Sequence, residues 1–432
     1  MQRALVVSSD KQQLMPCHPA RARQLLKQGK AAVYRRYPFT IIMKNRASGD
    51  RQPVQLKLDP GSKVTGVALV AEFAKRGKVV VFSMELQHRG QAIKDDLMSR
   101  RAIRRGRRTR KTRYRAARFD NRRRPQGWLP PSLMHRVSTT MTWVNRLRKF
   151  VPITGLSMGL VRFDTQAMQS PEVSGLEYQR GTLFGYEVKE YLLLKWGHRC
   201  CYCDCADKPL EVEHIVARSN GGSDRVSNLC LACEKCNQKK GSRPVKEFLA
   251  KQPERLKRIL AHAKAPLKDA AAVNATRWAL FERLNGTGLL IEVGTGGRTK
   301  FNRIQQGYPK AHWIDAACVG ESGASVRLDE EIAYLHVKCV GHGSRQMCRV
   351  NRFGFPRTAA KSVSVVDGFR TGDMARLDRM SGKYKGTYIG TVSVRASRMF
   401  DIKTTLAGRT LKITAQSCQF TKLHGCDGYA YA

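Results

Sequence analysis

Two Cys-x-x-Cys pairs, Cys200/Cys203 and Cys233/Cys236, constrain this 432-residue chain more than any other feature. Each pair can close one knuckle, and together they offer four soft thiolates at a spacing that suits tetrahedral zinc. Inert buried thiols are the simpler reading, but nothing in that reading asks for two matched spacings. Cys201, Cys205 and Cys230 lie close enough to leave the choice of ligands open. The thirteen cysteines do not read as a secreted disulfide framework, because the number is odd, the chain long and the cluster metal-like. A reducing compartment fits better. The opening residues read as a short strand, with charge at Arg3 too early for a signal peptide. No apolar run approaches the roughly 20 residues needed to cross a bilayer, so no membrane partner is expected.

The second constraint is charge. Seventy-nine Lys and Arg face 34 Asp and Glu, a formal +45. Such a field attracts polyanions, and nucleic acid is the obvious one. Arginine adds a planar fork suited to phosphate and base edges. The densest tract is 91–124, and fourteen of the twenty-five residues from Arg100 to Arg124 are basic. Only Gly106 breaks it, so it reads as a long helix whose like charges repel until phosphates offset them. A disordered RNA-binding arm is the competing reading. The candidate nucleic-acid contacts are Arg100, Arg101, Arg104, Arg105, Arg107, Arg108, Arg110, Lys111, Arg113, Arg115 and Arg118.

At this length the chain should form two to four units. Residues 1–45 read as strand, basic helix (19–28, stopped by Gly29) and strand, with Leu14-Met15-Pro16 between the first two. Strands are expected at 55–58, 64–70 and 78–86, with Asp59 at the end of the first. Helices are expected at 134–150, 187–196 and 277–284, and strands at 153–163 and 289–293. From residue 331 onward come short strands separated by turns, among them 361–366, 388–394 and 411–415, which suggests a small basic β-barrel-like domain.

Between the cysteine pairs runs Glu211-Val212-Glu213-His214-Ile215, then Asn220-Gly221-Gly222 and Ser227-Asn228-Leu229, and the second pair leads into Asn237. Residues 198–242 thus resemble the HNH, or ββα-metal, nuclease family in a zinc-stabilised form. The resemblance implies that Glu213 and Asn237 bind a hard divalent cation, that His214 is a general base toward water, and that Asn228 fixes the active-site loop. The chemistry is coherent: oxygen ligands suit Mg2+, which can neutralise a leaving 3′ oxygen while a neutral imidazole takes a proton. A purely structural zinc-knuckle module is the alternative.

Asp59, the segment Gly296-Gly297-Arg298-Thr299-Lys300 and the run His312-Trp313-Ile314-Asp315-Ala316-Ala317 resemble blocks of a RuvC nuclease split by insertions. The resemblance implies an RNase-H-like mixed sheet in which acidic groups, Asp59 and Asp315 among them, gather two Mg2+ ions beside His312. Residues 153–164 resemble the middle block, but the expected Glu is Gly159. A RuvC-like fold with impaired or absent cutting is therefore expected, with Glu85 and Asp164 as possible substitute acids.

The ordered combination resembles the IscB family of compact RNA-guided DNA nucleases over almost the whole chain, although Gln13 stands where that family's N-terminal signature has Pro. The resemblance implies an α/β multidomain protein: a PLMP-like domain (1–52), RuvC segments (53–90, 126–194, 251–330), an arginine-rich bridge helix (91–125), an HNH domain (195–250) and a C-terminal adjacent-motif-interacting domain (331–432), with the stretch 383–398 the candidate reader of that motif. It further implies Zn2+ and Mg2+ as cofactors, a structured guide RNA and a double-stranded DNA target as partners, one protein copy per ribonucleoprotein, and a cytoplasmic, nucleoid-associated location in a prokaryote. With HNH intact and RuvC impaired, a nick in the guide-paired strand is expected. An unguided HNH endonuclease and a guided binding module with little cleavage stay open.

Overall fold

The computed structural model describes residues 3–109, 125, 127–160, 184–265, 270–328, 333–342, 348–352, 355–359, 363–406 and 409–431. The chain divides into two compact units, residues 1–90 with 123–336 and residues 91–122 with 337–432. Among the described residues no helix is long and apolar enough to cross a membrane. Arg110, Lys111, Arg113, Arg115, Arg118 and Asp164 lie outside the described residues, as does the Arg107 side chain.

The first unit opens with strands β1 (Ala4–Val7), β2 (Gln13–Cys17), β3 (Ala31–Arg35) and β4 (Thr40–Met43), in the order β2-β1-β4-β3. Helix Pro19–Lys27 starts with proline at a position where its missing N–H costs nothing, and it stops where Gly29 takes a φ of 69°. The segment Leu14-Met15-Pro16, between the first strand and the helix, forms part of a strand of its own, β2. Its burial alternates, with Leu14 packed among Ala4, Val6 and Leu25. Pro16 is tolerated because β2 is an edge strand.

The core of this unit is a mixed sheet. Strands β5 (Val54–Pro60), β6 (Val64–Phe73) and β7 (Gly77–Gln87) form an antiparallel meander, and β8 (Ile153–Gly159) joins parallel to β5. The chain then leaves the sheet for the cysteine module, built on β9 (Leu210–His214) and β10 (Leu229–Cys233). It returns as β11 (Leu290–Gly294), parallel to β8, giving the order β11-β8-β5-β6-β7. Long runs such as Val79 to Phe82 are buried without alternation, as expected for strands covered on both faces. Helix His312–Ala317 lies against β6, with Trp313, Ile314, Ala316 and Ala317 sharing a core with Ala68, Val70 and Val80. That approach requires Gly66, since a Cβ there would sit 1.8 Å from the His312 carbonyl oxygen.

In the cysteine module β9 and β10 pair antiparallel, and helix Glu234–Lys240 follows β10 directly. All five residues of β10 are buried. Helices Phe184–Lys195 and Pro253–Lys264 share this core through Tyr191, Leu192, Ile259 and Ala263. The packed body therefore reaches beyond the 195–250 span expected from sequence. Lys195 Nζ donates to the Ala263 carbonyl at 2.7 Å, which fastens the two helices to each other.

In the second unit, helix Gly90–Thr109 carries Arg100, Arg101, Arg104, Arg105 and Arg108 with exposed side chains. Strand β12 (Leu335–Cys339) pairs with β18 (Tyr429–Tyr431). Strands β13 (Met374–Arg379), β14 (Gly386–Ser393), β15 (Met399–Leu406), β16 (Arg409–Gln416) and β17 (Phe420–His424) form an antiparallel sheet in the order β16-β15-β14-β13-β17. Its core centres on Phe369, Phe400 and Phe420. Among the described residues this sheet is open between β16 and β17, where a barrel was expected. The expected strand at 361–366 is absent among its described residues, where Val366 makes only an isolated bridge with Phe369.

Candidate active sites and metal centre

Cys200 and Cys203 lie on a tight knuckle, in which Asp204 N donates to Cys200 O at 2.9 Å and Asp204 takes a φ of 60°. Arg255 and Arg258, from the helix that follows the module, bind the Asp204 carboxylate at 2.7 and 3.1 Å. Cys233 ends β10 and caps helix Glu234–Lys240, on which Cys236 lies one turn in. The four thiols gather with their sulfurs within 4.8 Å of one another. Four sulfur donors converging from two knuckles fit tetrahedral zinc. Burial pushes the Cys203 thiol up, but hydrogen bonds from the Cys205 backbone and from neighbouring thiols outweigh it and bring the thiol down to about 6, toward the thiolate a metal requires. Cys230 points elsewhere, its thiol 3.7 Å from the Tyr202 hydroxyl, which narrows the choice that spacing left open.

Side chains at 211 and 213 lie on the same side of β9, as strand alternation dictates, and both meet helix Glu234–Lys240. Glu213 Oε1 accepts from the fully buried Lys240 ammonium at 2.6 Å. Lys240 also donates to the carbonyls of His214 and Gly241 at 2.9 and 3.3 Å. Asn237 Nδ2 donates to Glu211 Oε2 at 2.7 Å. Glu213 and Asn237, the two residues expected to hold a cation, are thus each engaged by a different partner, Lys240 and Glu211. Glu211 and Lys240 escaped the sequence reading, although the spacing Glu211-Val212-Glu213 already places two acids on one strand face. Replacing Glu213 with Ala leaves the buried ammonium with carbonyl partners alone. The module should lose about 3 kcal/mol of stability, to be read as a lowered urea midpoint at constant zinc content.

His214 ends β9 with its Nε2 2.7 Å from Asp224 Oδ1. Asn228 pins the intervening loop, its amide accepting from Val216 N at 2.9 Å and donating to the carbonyls of Val216 and Ser223 at 3.0 and 2.9 Å.

In the mixed sheet Asp59 pairs with Gly66, and Gly66 with Glu85. Gly159 falls at the end of the neighbouring strand, where a Cβ would sit 3.1 Å from Asp59 Oδ1. Arg277 places a guanidinium nitrogen 3.9 Å from Asp59 and donates to Pro60 O at 3.0 Å. Asp315, on helix His312–Ala317, pairs with Arg303 at 2.9 Å. Burial first, and then the charge of Asp59, raises the Asp315 carboxyl to about 7, with Arg303 opposing. The two acids thus feel each other across the site. His312 is exposed, and its backbone N–H donates to Glu85 Oε1 at 3.0 Å. Glu85 is therefore engaged at the start of the His312 helix, which argues against its serving as a substitute acid for position 159.

A buried network lies under this site. Lys57 Nζ donates to Val319 O at 2.7 Å and lies 3.8 Å from Glu292, whose carboxylate accepts from Ser157 at 2.6 Å and Gln55 at 3.1 Å. Burial lowers the Lys57 ammonium to about 8. The network ties β5, β8 and β11 to the segment that follows the Asp315 helix. Nothing in the local pattern of β5 announces a buried lysine.

Residues 4–181 match the family model described as RRXRR protein, and residues 200–243 match the model described as HNH endonuclease. Among solved structures, Streptococcus thermophilus Cas9 in complex with the AGAA PAM is similar at 13% identity and a TM-score of 0.21, over 61% of this chain and 32% of that one. Streptococcus thermophilus Cas9 in complex with the AGGA PAM is similar at 15% identity, with a TM-score of 0.21 and the same coverage. The chain spans about a third of the length of those proteins. No match was found among curated proteins. Residues 200–243 of this chain thus carry an HNH endonuclease-type module that contains a four-cysteine cluster able to hold a metal, which is consistent with a nuclease-type function.

Proposed function

We propose that this chain is an RNA-guided DNA endonuclease of the IscB kind that nicks the guide-paired strand through its HNH-type site. The observation that carries the proposal is the module itself: a zinc-ready ββα unit presenting His214 at a strand end, with Glu211 and Glu213 on the helix-facing side of β9 and Asn237 on the facing helix. That oxygen-rich set suits a hard cation such as Mg2+, which when bound supplies positive charge to the scissile phosphate. His214 accepts a proton from the attacking water, and Asn228 holds the loop around it. The exposed arginines of helix Gly90–Thr109 provide the phosphate contacts expected of a bridge helix.

The mixed sheet, interrupted by the cysteine module between β8 and β11, supports a split RuvC-like reading of the remaining core. Asp59 and Asp315 approach one another there, but Gly159 contributes no carboxylate beside Asp59, and Arg277 and Arg303 occupy the two acids. Two hard cations need more oxygen ligands than this pair offers. The displaced strand is therefore expected to stay uncut. Gly159→Glu puts a carboxylate next to Asp59 and is expected to add cleavage of the second strand, whereas unchanged cleavage of that strand argues against this explanation.

The test is cleavage of strand-labelled duplex in Mg2+ by protein purified with its native RNA. One nick, in the RNA-paired strand and dependent on that RNA, is expected. Cutting without RNA overturns guidance, and tight guided binding without a nick points to a binding module.

A further inference from the structure

The contact between His214 and Asp224 carries more information than its length. Asp224 lies in the loop before β10, and its Oδ1 also accepts from Arg218 Nε and a terminal Arg218 nitrogen at 3.0 and 2.8 Å. The loop around it is fixed at several points. Asn228 fastens both arms, Asn220 Nδ2 donates to Ser242 O at 2.8 Å, and Gly222 approaches so closely that a Cβ would lie 1.8 Å from the Val216 carbonyl oxygen. Asp224 is half-exposed, yet its carboxylate is held toward the imidazole.

An ionised carboxylate only accepts hydrogen bonds. The bonds from His214 and Arg218 hold the Asp224 carboxyl below the ordinary range, so it stays ionised at neutral pH. Nε2 of His214, facing an acceptor that cannot donate, must carry the hydrogen. In the neutral ring the lone pair then belongs to Nδ1. We infer that Asp224 is a positioning residue that fixes His214 in the Nε2–H tautomer, leaves Nδ1 as the proton-accepting atom, and is itself held by Arg218. The inference rests on the proposed role of His214 as general base. Once Nδ1 takes a proton, the same carboxylate stabilises the imidazolium. Without Asp224 the ring divides between tautomers, and part of the population presents N–H where a lone pair is needed.

A mere loop clasp would show the same three contacts, so the test reads the ring itself. Full-length, zinc-loaded protein with its RNA, labelled with 15N-histidine, gives long-range 1H–15N correlations, and His214→Gln identifies the His214 signals. The parent is expected to show a single Nε2–H tautomer. Asp224→Asn should show a mixture, with kcat for nicking lowered about 100-fold and KM changed by less than about twofold. Asp224→Glu, which keeps the acceptor, should restore the tautomer and part of the rate, and it serves as the readable variant should Asp224→Asn not fold. Unchanged tautomer or unchanged kcat in Asp224→Asn overturns the inference while His214→Gln still abolishes nicking. Nicking by His214→Gln instead removes the general-base assignment, and the tautomer spectrum then shows separately whether Asp224 still sets the ring.

Discussion

Replacing Cys233 with serine should strip the metal from the chain and unfold the module that carries His214. Cys233 is buried, ends β10, caps helix Glu234–Lys240, and places its sulfur 3.8 Å from that of Cys203. One lost thiolate therefore loosens a strand end, a helix start and the opposite knuckle together. Binding of structural zinc contributes on the order of 10 kcal/mol, comparable to the whole stability of a typical domain at about 5–15 kcal/mol. No partial loss is expected. Metal analysis should find one zinc per chain in the parent and none in Cys233→Ser, and limited proteolysis should cut the variant within 200–243. Cys230→Ala, which removes a thiol bonded to Tyr202 rather than one of the quartet, should keep its zinc. Retained zinc in Cys233→Ser would sink the ligand assignment.

The second large effect is chemical rather than structural. His214→Ala should lower nicking of the RNA-paired strand by about 10³-fold, within the span general acid–base groups contribute, while zinc content and unfolding stay as in the parent. The imidazole is partly exposed at a strand end, and its side chain bonds only to the exposed Asp224 among the contacts of this module. Its removal therefore opens no core cavity. A single-turnover time course on strand-labelled duplex separates the two variants: Cys233→Ser fails through the fold, His214→Ala through the reaction. Nicking by His214→Ala at the parent rate would remove the histidine from the mechanism.

Much of the module was legible because its determinants are local. Cysteine spacing fixes which thiols can meet, since a knuckle closes within four residues. The glycines at 221 and 222 announce a turn, and Asn228 proves to hold that turn from both sides. The strands around Asp59 were legible too, from short apolar-rich segments separated by turn residues such as Pro60-Gly61. Less legible were partners that the chain separates. Lys240 is one of nearly eighty basic residues in the sequence, and only the packing of helix Glu234–Lys240 on β9 buries it against Glu213. Asp224 lies in a polar loop with no periodicity to mark it. Glu85 read as a spare acid until the sheet placed it at the start of the His312 helix.

What the chain settles without any fold is which thiols can meet, through the two Cys-x-x-Cys spacings, and its strongly basic charge of +45, because ligand spacing and net charge are properties of the chain. Tertiary structure alone decided which charges meet. Asp59 and position 159 are neighbours only because β5 and β8 pair in parallel register, and Asp315 feels Asp59 only because Gly66 lets its helix settle on the sheet. Coulomb interactions and hydrogen bonds act over a few ångströms in space, whatever the separation along the chain. The same short range assigns Asn237 to Glu211, Glu213 to Lys240 and His214 to Asp224.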